Sequence, residues 1–110
     1  MQIIHVNIAN RIATAEEGAW AVLDNSDYRI QFTFDTEWAS YLSKNAVFVW
    51  QEGDGTVAAF VSFTGNVVAM PKISGSSYVL VGVAAGDTLT STAAKIPCRA
   101  SIITCAGRAE

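Results

Sequence analysis

Charge is scarce in this chain. Asp, Glu, Lys and Arg make up only 15% of its 110 residues, well below the usual quarter. Its seven Lys and Arg are scattered singly, and the formal net charge is −3. Nothing therefore resembles the basic stripe of a nucleic-acid binder, and the same scatter argues against a charged membrane surface as partner. No stretch approaches the ~20 apolar residues that cross a bilayer as a helix. The opening Met1-Gln2-Ile3-Ile4-His5 has neither a positive segment nor a long apolar one, so no signal peptide is expected. Linkers, low-complexity tracts, repeats and convincing 3.6-residue periodicity are missing too.

Chemistry-bearing residues are equally sparse. His5 is the single histidine, so no spacing suggests a Ser-His-Asp triad. A structural zinc takes four ligands, and His5, Cys98 and Cys105 offer three at spacings that match no zinc motif. Asp24, Asp27, Asp35 and Glu37 surround one strand without forming a calcium loop, and Asp at such places caps turns through its own side chain. Were Arg99–Thr104 extended, the two cysteines would lie roughly 23 Å apart, against the ~5.5 Å that a disulfide needs. Free thiols in a reducing cytoplasm are expected. The reading is of a chain that is not an enzyme, with no cofactor and no metal.

What the sequence does hold is apolar residues, 51% of the chain, arranged with period two. The length suits one domain, residues 1–110. Gln2–Ile8 alternates, with Ile4, Val6 and Ile8 on one face. A turn follows near Glu16–Gly18, then a short strand at Trp20–Val22 and a turn at Asp24–Ser26. Tyr28–Phe34 sets Tyr28, Ile30, Phe32 and Phe34 against Arg29, Gln31 and Thr33. Asp35 to Tyr41 breaks the alternation, and Asp35–Trp38 suits a short turn or 3₁₀ piece with Trp38 turned inward. Glu52-Gly53-Asp54-Gly55 joins Ala46–Trp50 to Val57–Phe63 as a hairpin. Val67–Met70, Tyr78–Ala85 and Thr88–Ala94 are further strands, the last two joined by a Gly86-Asp87 turn. Cys98–Thr104 follows the interruption expected at Pro97 as a kinked continuation or an edge strand. Seven to nine short strands at this spacing predict an all-β antiparallel sandwich.

Several of these stretches occur together in one known family. They are Asn25-Ser26-Asp27-Tyr28 leading to Phe32-Thr33-Phe34-Asp35, then Glu37-Trp38, Ala46–Trp50, Phe63-Thr64-Gly65-Asn66 with Pro71, Val81–Asp87, and Ile96-Pro97-Cys98. In this order they resemble the immunoglobulin-like domain at the N-terminus of phage baseplate upper proteins and related tail and head fibre proteins. The resemblance spans nearly the whole chain. It implies an immunoglobulin-like fold and a virion protein, made in the cytoplasm of the bacterial host, that attaches a fibre or adhesin to the particle. Family members carry a trimeric stalk or receptor-binding region after this domain, whereas this sequence runs to Glu110 without one. Particle attachment is therefore the firmer implication, and receptor binding the weaker.

The hairpin register sharpens the expectation. If Trp50 opposes Val57, then Phe48 opposes Ala59 and Ala46 opposes Val61, all facing the core with Phe63 beyond them. Val47, Val49, Ala58 and Phe60 then point away. In an immunoglobulin-like sandwich Tyr78–Ala85 lies in the same sheet, with Val79, Val81 and Val83 inward and Tyr78 and Leu80 outward. Val47, Val49, Ala58, Phe60, Tyr78 and Leu80 thus form a candidate protein interface, because large exposed apolar patches mark association sites. A one-residue slip would exchange the faces and return these residues to the core. The expected partners are other virion proteins and copies of the chain itself, a homotrimer included. Capsid decoration is an alternative of the same class. A host-glycan receptor module resting on a partly exposed Trp20 is an alternative of another.

Overall fold

A computed structural model describes residues 2–86 and 88–102. Ten strands form two mixed sheets. The strands are β1 (Gln2–Ala9), β2 (Ile12–Ala15), β3 (Ala21–Val22), β4 (Tyr28–Phe34), β5 (Ser43–Glu52), β6 (Gly55–Thr64), β7 (Val67–Ala69), β8 (Tyr78–Ala85), β9 (Leu89–Thr90) and β10 (Ala94–Arg99). One sheet runs β2-β1-β4-β7; the other runs β3-β10-β8-β5-β6, with β9 paired to β8.

Alternation decides what is buried. Ile4, Val6 and Ile8 of β1 and Ile30 and Phe32 of β4 meet Phe48, Val79, Val81, Val83 and Ile96 of the opposing sheet in one core. Strands of period two hand alternate side chains to opposite faces, so these rows are the ones the sequence marks. A 3₁₀ turn at Thr36–Trp38 drops Trp38 into this core at 1% exposure. There Phe34 lies 5.4 Å from Trp38, and Phe32 lies 5.6 Å from Phe63, between ring centroids. At the end of the inward row of β5, Lys44 is buried. Its ammonium donates to the Tyr41 carbonyl at 2.6 Å and sits 4.8 Å above the Phe34 ring, so its charge is held by a dipole and a π face.

Four expectations need correction. The sandwich is not purely antiparallel: β1 and β4 run parallel from Gln2↔Tyr28 to Ile8↔Phe34, and β3 runs parallel to β10. Parallel neighbours need a crossover, and the chain provides it by leaving through β2 and β3 before returning as β4. The strands number ten among the described residues rather than seven to nine, because β2 arises where the sequence carries no glycine turn. It is reached through Asn10 and Arg11, both left-handed with φ of 53° and 65°. That turn is docked on the β4 exit, where the Asn10 N–H donates to Asp35 Oδ2 at 2.9 Å and the Arg11 guanidinium to Glu37. Thr88–Ala94 is not one strand, since the chain pairs at Leu89–Thr90, leaves the sheet, and re-enters as β10.

Lastly, Pro97 does not interrupt pairing. It sits inside β10 opposite Tyr78, while β3 pairs only Cys98 and Arg99 on the other side. The N–H that proline lacks therefore faces a stretch that β3 does not reach. Of the predicted Cys98–Thr104 strand only Cys98 and Arg99 are paired, within β10, and Ala100–Ile102 lie in no strand. Asp87 of the predicted turn, Cys105, and the part of the predicted last strand beyond Ile102 lie outside the described residues.

Candidate functional site

The β5–β6 hairpin turns on Gly53-Asp54 between Glu52 and Gly55, and its pairs include Trp50↔Val57, Phe48↔Ala59, Ala46↔Val61, Val49↔Ala58 and Val47↔Phe60. This is the register the two-residue turn predicts. On the other side of β5, Val49 opposes Leu80 and Val47 opposes Gly82. Two rows thus cross the outer face of the six-stranded sheet: Leu80, Val49, Ala58, and beside it Gly82, Val47, Phe60. Val47, Val49 and Leu80 shield one another and are partly buried, while Phe60 stands out at 68% exposure. The opposing inward row is sealed, with Phe48 and Val81 at 0%.

These side chains floor an open recess of about 310 Å³ that also involves Ala84 and the segment Thr90–Ala93. Phe60 stands on one side of it and Thr90–Ala93 on the other. The segment reaches β8 because residue 82 is glycine: a Cβ there would lie 3.1 Å from the Thr92 carbonyl oxygen and 3.3 Å from Ser91 Oγ. The segment is pinned by the Ser91 N–H donating to the Val83 carbonyl at 2.9 Å. In return the Val83 N–H donates to Ser91 Oγ at 3.0 Å. Gly82, alone in a run of valine, leucine and alanine, was the available signal for this close approach; Thr90–Ala93 carried none.

Among the described residues no charged side chain lines the recess. Its margin is polar: Gln51 donates to Thr56 at 2.9 Å, and Ser62 donates to Asn45 at 2.7 Å. Of the six predicted face residues, Val47, Val49, Phe60 and Leu80 line the recess and Ala58 pairs with Val49. Tyr78 lies outside it, opposite Pro97 and with the Lys95 ammonium 5.0 Å from its ring centroid. The outer face of the four-stranded sheet differs. There Arg29, Gln31 and Thr33 alternate with the side chains of neighbouring strands, so the apolar Ile3 and Val67 stand apart among polar neighbours.

Other predicted centres are placed as follows. Trp20 is 44% exposed, and the Arg99 guanidinium lies 4.5 Å from its ring centroid, covering one π face. Rather than only capping its own turn as expected, Asp24 ties three distant segments together: its carboxylate accepts from the hydroxyls of Ser74 and Ser101, far along the chain. Among the described residues no three of His, Cys, Asp and Glu gather as a metal site would require. Cys98 is half-buried, and burial pushes its thiol up to about 11, away from nucleophilic reactivity at neutral pH.

No family model, no curated protein and no solved structure matches the chain. No helix is long and apolar enough to cross a membrane among the described residues.

Proposed function

We propose that this chain is a structural protein of a phage particle, an immunoglobulin-like attachment module that anchors fibre or baseplate components through protein–protein contacts. The observation that carries the reading is the uncharged apolar recess on the six-stranded sheet, floored by Val47, Val49 and Leu80, flanked by Phe60 and edged with hydrogen-bonded polar pairs. An apolar centre inside a polar rim is the anatomy of a protein interface. Among the described residues the hydroxyls that line it, Thr90, Ser91 and Thr92, have no titratable side chain beside them in the recess to act as a base.

Strand order supports the immunoglobulin-like part. The run β10-β8-β5-β6 corresponds to the G-F-C-C′ order of a variable-type sheet, with β4 and β7 in the places of B and E. The parallel β1–β4 pair is the departure. Likeness to the phage fibre-anchoring domain supplies the setting, a virion, and capsid decoration is the nearest variant of the same role.

The test is incorporation. Purified particles of the encoding phage should contain the chain at a fixed copy number that free sugars do not displace. A Val49→Lys, Leu80→Glu variant should fold, as judged by circular dichroism, yet be lost from the particles. Absence of the wild-type chain from purified particles, or undiminished incorporation of the folded variant, refutes the proposal.

A further inference from the structure

We infer that the free edge of β6 pairs antiparallel with β6 of a second copy about a two-fold axis at Phe60, joining two six-stranded sheets into one. The inference rests on the reading above in taking this corner of the sheet as an association surface, and names one partner for it.

Exposed edges are liabilities that proteins blunt with shortness, charge, proline or bulges. Among the described residues three of the four strands that end the two sheets are short: β2 has four residues, β3 two, and β7 three before Pro71. The fourth, β6, has ten residues, Gly55–Thr64, with neither charge nor proline. Its pairing with β5 is unbroken over all ten, so no bulge twists the edge away. Among the described residues no strand covers its outer side. An edge this long and unprotected is one that something pairs with.

The sequence of β6 says what. With Glu52 and Gly55 closing a two-residue turn, the even-numbered residues of β6 direct their N–H and C=O groups away from β5. Antiparallel self-pairing about Phe60 then sets Phe60 against Phe60, Ala58 against Ser62 and Thr56 against Thr64 on the outer face. On the inner face it sets Val57 against Phe63 and Ala59 against Val61. All but Ala58–Ser62, a small methyl against a hydroxyl, are matched in class, and aromatic, β-branched and hydroxyl pairs are those that stabilise neighbouring strands. The strand is self-complementary, as an isologous two-fold interface demands. Its lack of charge removes like-charge repulsion from a chain of net charge −3. Pairing would also extend the Val47–Phe60 row into the second copy, doubling the apolar face.

Sedimentation of the full chain tests this. Wild type should reach a dimer as concentration rises. Phe60→Lys and Phe60→Glu each set two like charges face to face at the axis, so either alone should weaken the dimer by about tenfold or more, while circular dichroism shows a folded protein, because Phe60 is mostly exposed. Mixing the two variants should restore a dimer of one copy of each. A wild type that stays monomeric, a trimer, a dimer insensitive to both variants, or a mixture that fails to pair overturns the inference. Should it fall while the Val49→Lys, Leu80→Glu chain is still lost from particles, the functional reading stands.

Discussion

Phe48 and Phe60 sit in adjacent strands of one sheet, on opposite faces, and truncating each to alanine separates core from surface. Phe48 is at 0% exposure between the two sheets, so Phe48→Ala removes its transfer energy and leaves a cavity, for a loss of about 3–5 kcal/mol. Phe60 is 68% exposed. If a phenylalanine hides roughly 200 Å² when fully buried, about a third of that is lost with Phe60. At about 25 cal/mol per Å² this sets a ceiling near 1.5 kcal/mol. For a domain of this size 1 kcal/mol moves Tm by about 4 °C, giving shifts of roughly 12–20 °C for Phe48→Ala and below about 6 °C for Phe60→Ala. Thermal and urea unfolding followed by tryptophan fluorescence measure the shifts and the free energies, at protein concentrations low enough to keep the chain monomeric. Equal losses for the two variants would refute the facing of this sheet, because Phe60 would then be a core residue.

Other outcomes follow from single contacts. Tyr28→Phe removes the hydroxyl that accepts the Val22 N–H at 2.9 Å, and leaving that donor without its partner should cost about 1–3 kcal/mol in urea unfolding. Gly82→Ala should lower stability by about 1–3 kcal/mol, because the new Cβ meets the Thr92 carbonyl oxygen at 3.1 Å. Hydrogen exchange should report faster opening of the Ser91–Val83 bonds in that variant. In a Cys105→Ser background, alkylation of Cys98 at pH 8 should run about a hundredfold below that of an unshifted thiol, because its pKa is raised to about 11. Since the folded value lies above the unfolded one, the contribution is present at neutral pH and is lost as pH rises from about 9 through 11. Stability should therefore fall over that window in the wild type and less in Cys98→Ala.

The hairpin was legible because two independent signals agreed: Gly-Asp as a two-residue turn and strict alternation on both arms. Together they give Val47↔Phe60 and Val49↔Ala58 without any knowledge of the other strands. The core followed from the same alternation, and the break in it after Phe34 marked the turn at Trp38. What could not be read depends on neighbours. The β1–β2 turn places Arg11 in the left-handed region, where arginine is an unusual choice, and the conformation is held by distant Asp35 and Glu37. Likewise Pro97 reads as a strand breaker unless one knows that β3 begins pairing only at Cys98. The parallel β1–β4 pair is a property of chain path, which local periodicity does not encode. At the recess, Val47, Val49, Phe60 and Leu80 announced themselves as apolar residues out of phase with the core. The Thr90–Ala93 side arrives through a close approach that only Gly82 hinted at.

A density map of the intact particle at side-chain resolution puts the attachment reading to its most direct test. It should show Val49, Leu80 and Phe60 buried against neighbouring protein, with Arg29, Gln31 and Thr33 of the other sheet toward solvent. A particle-bound chain in the reverse orientation, docked through the polar sheet with the recess open to water, would contradict the account.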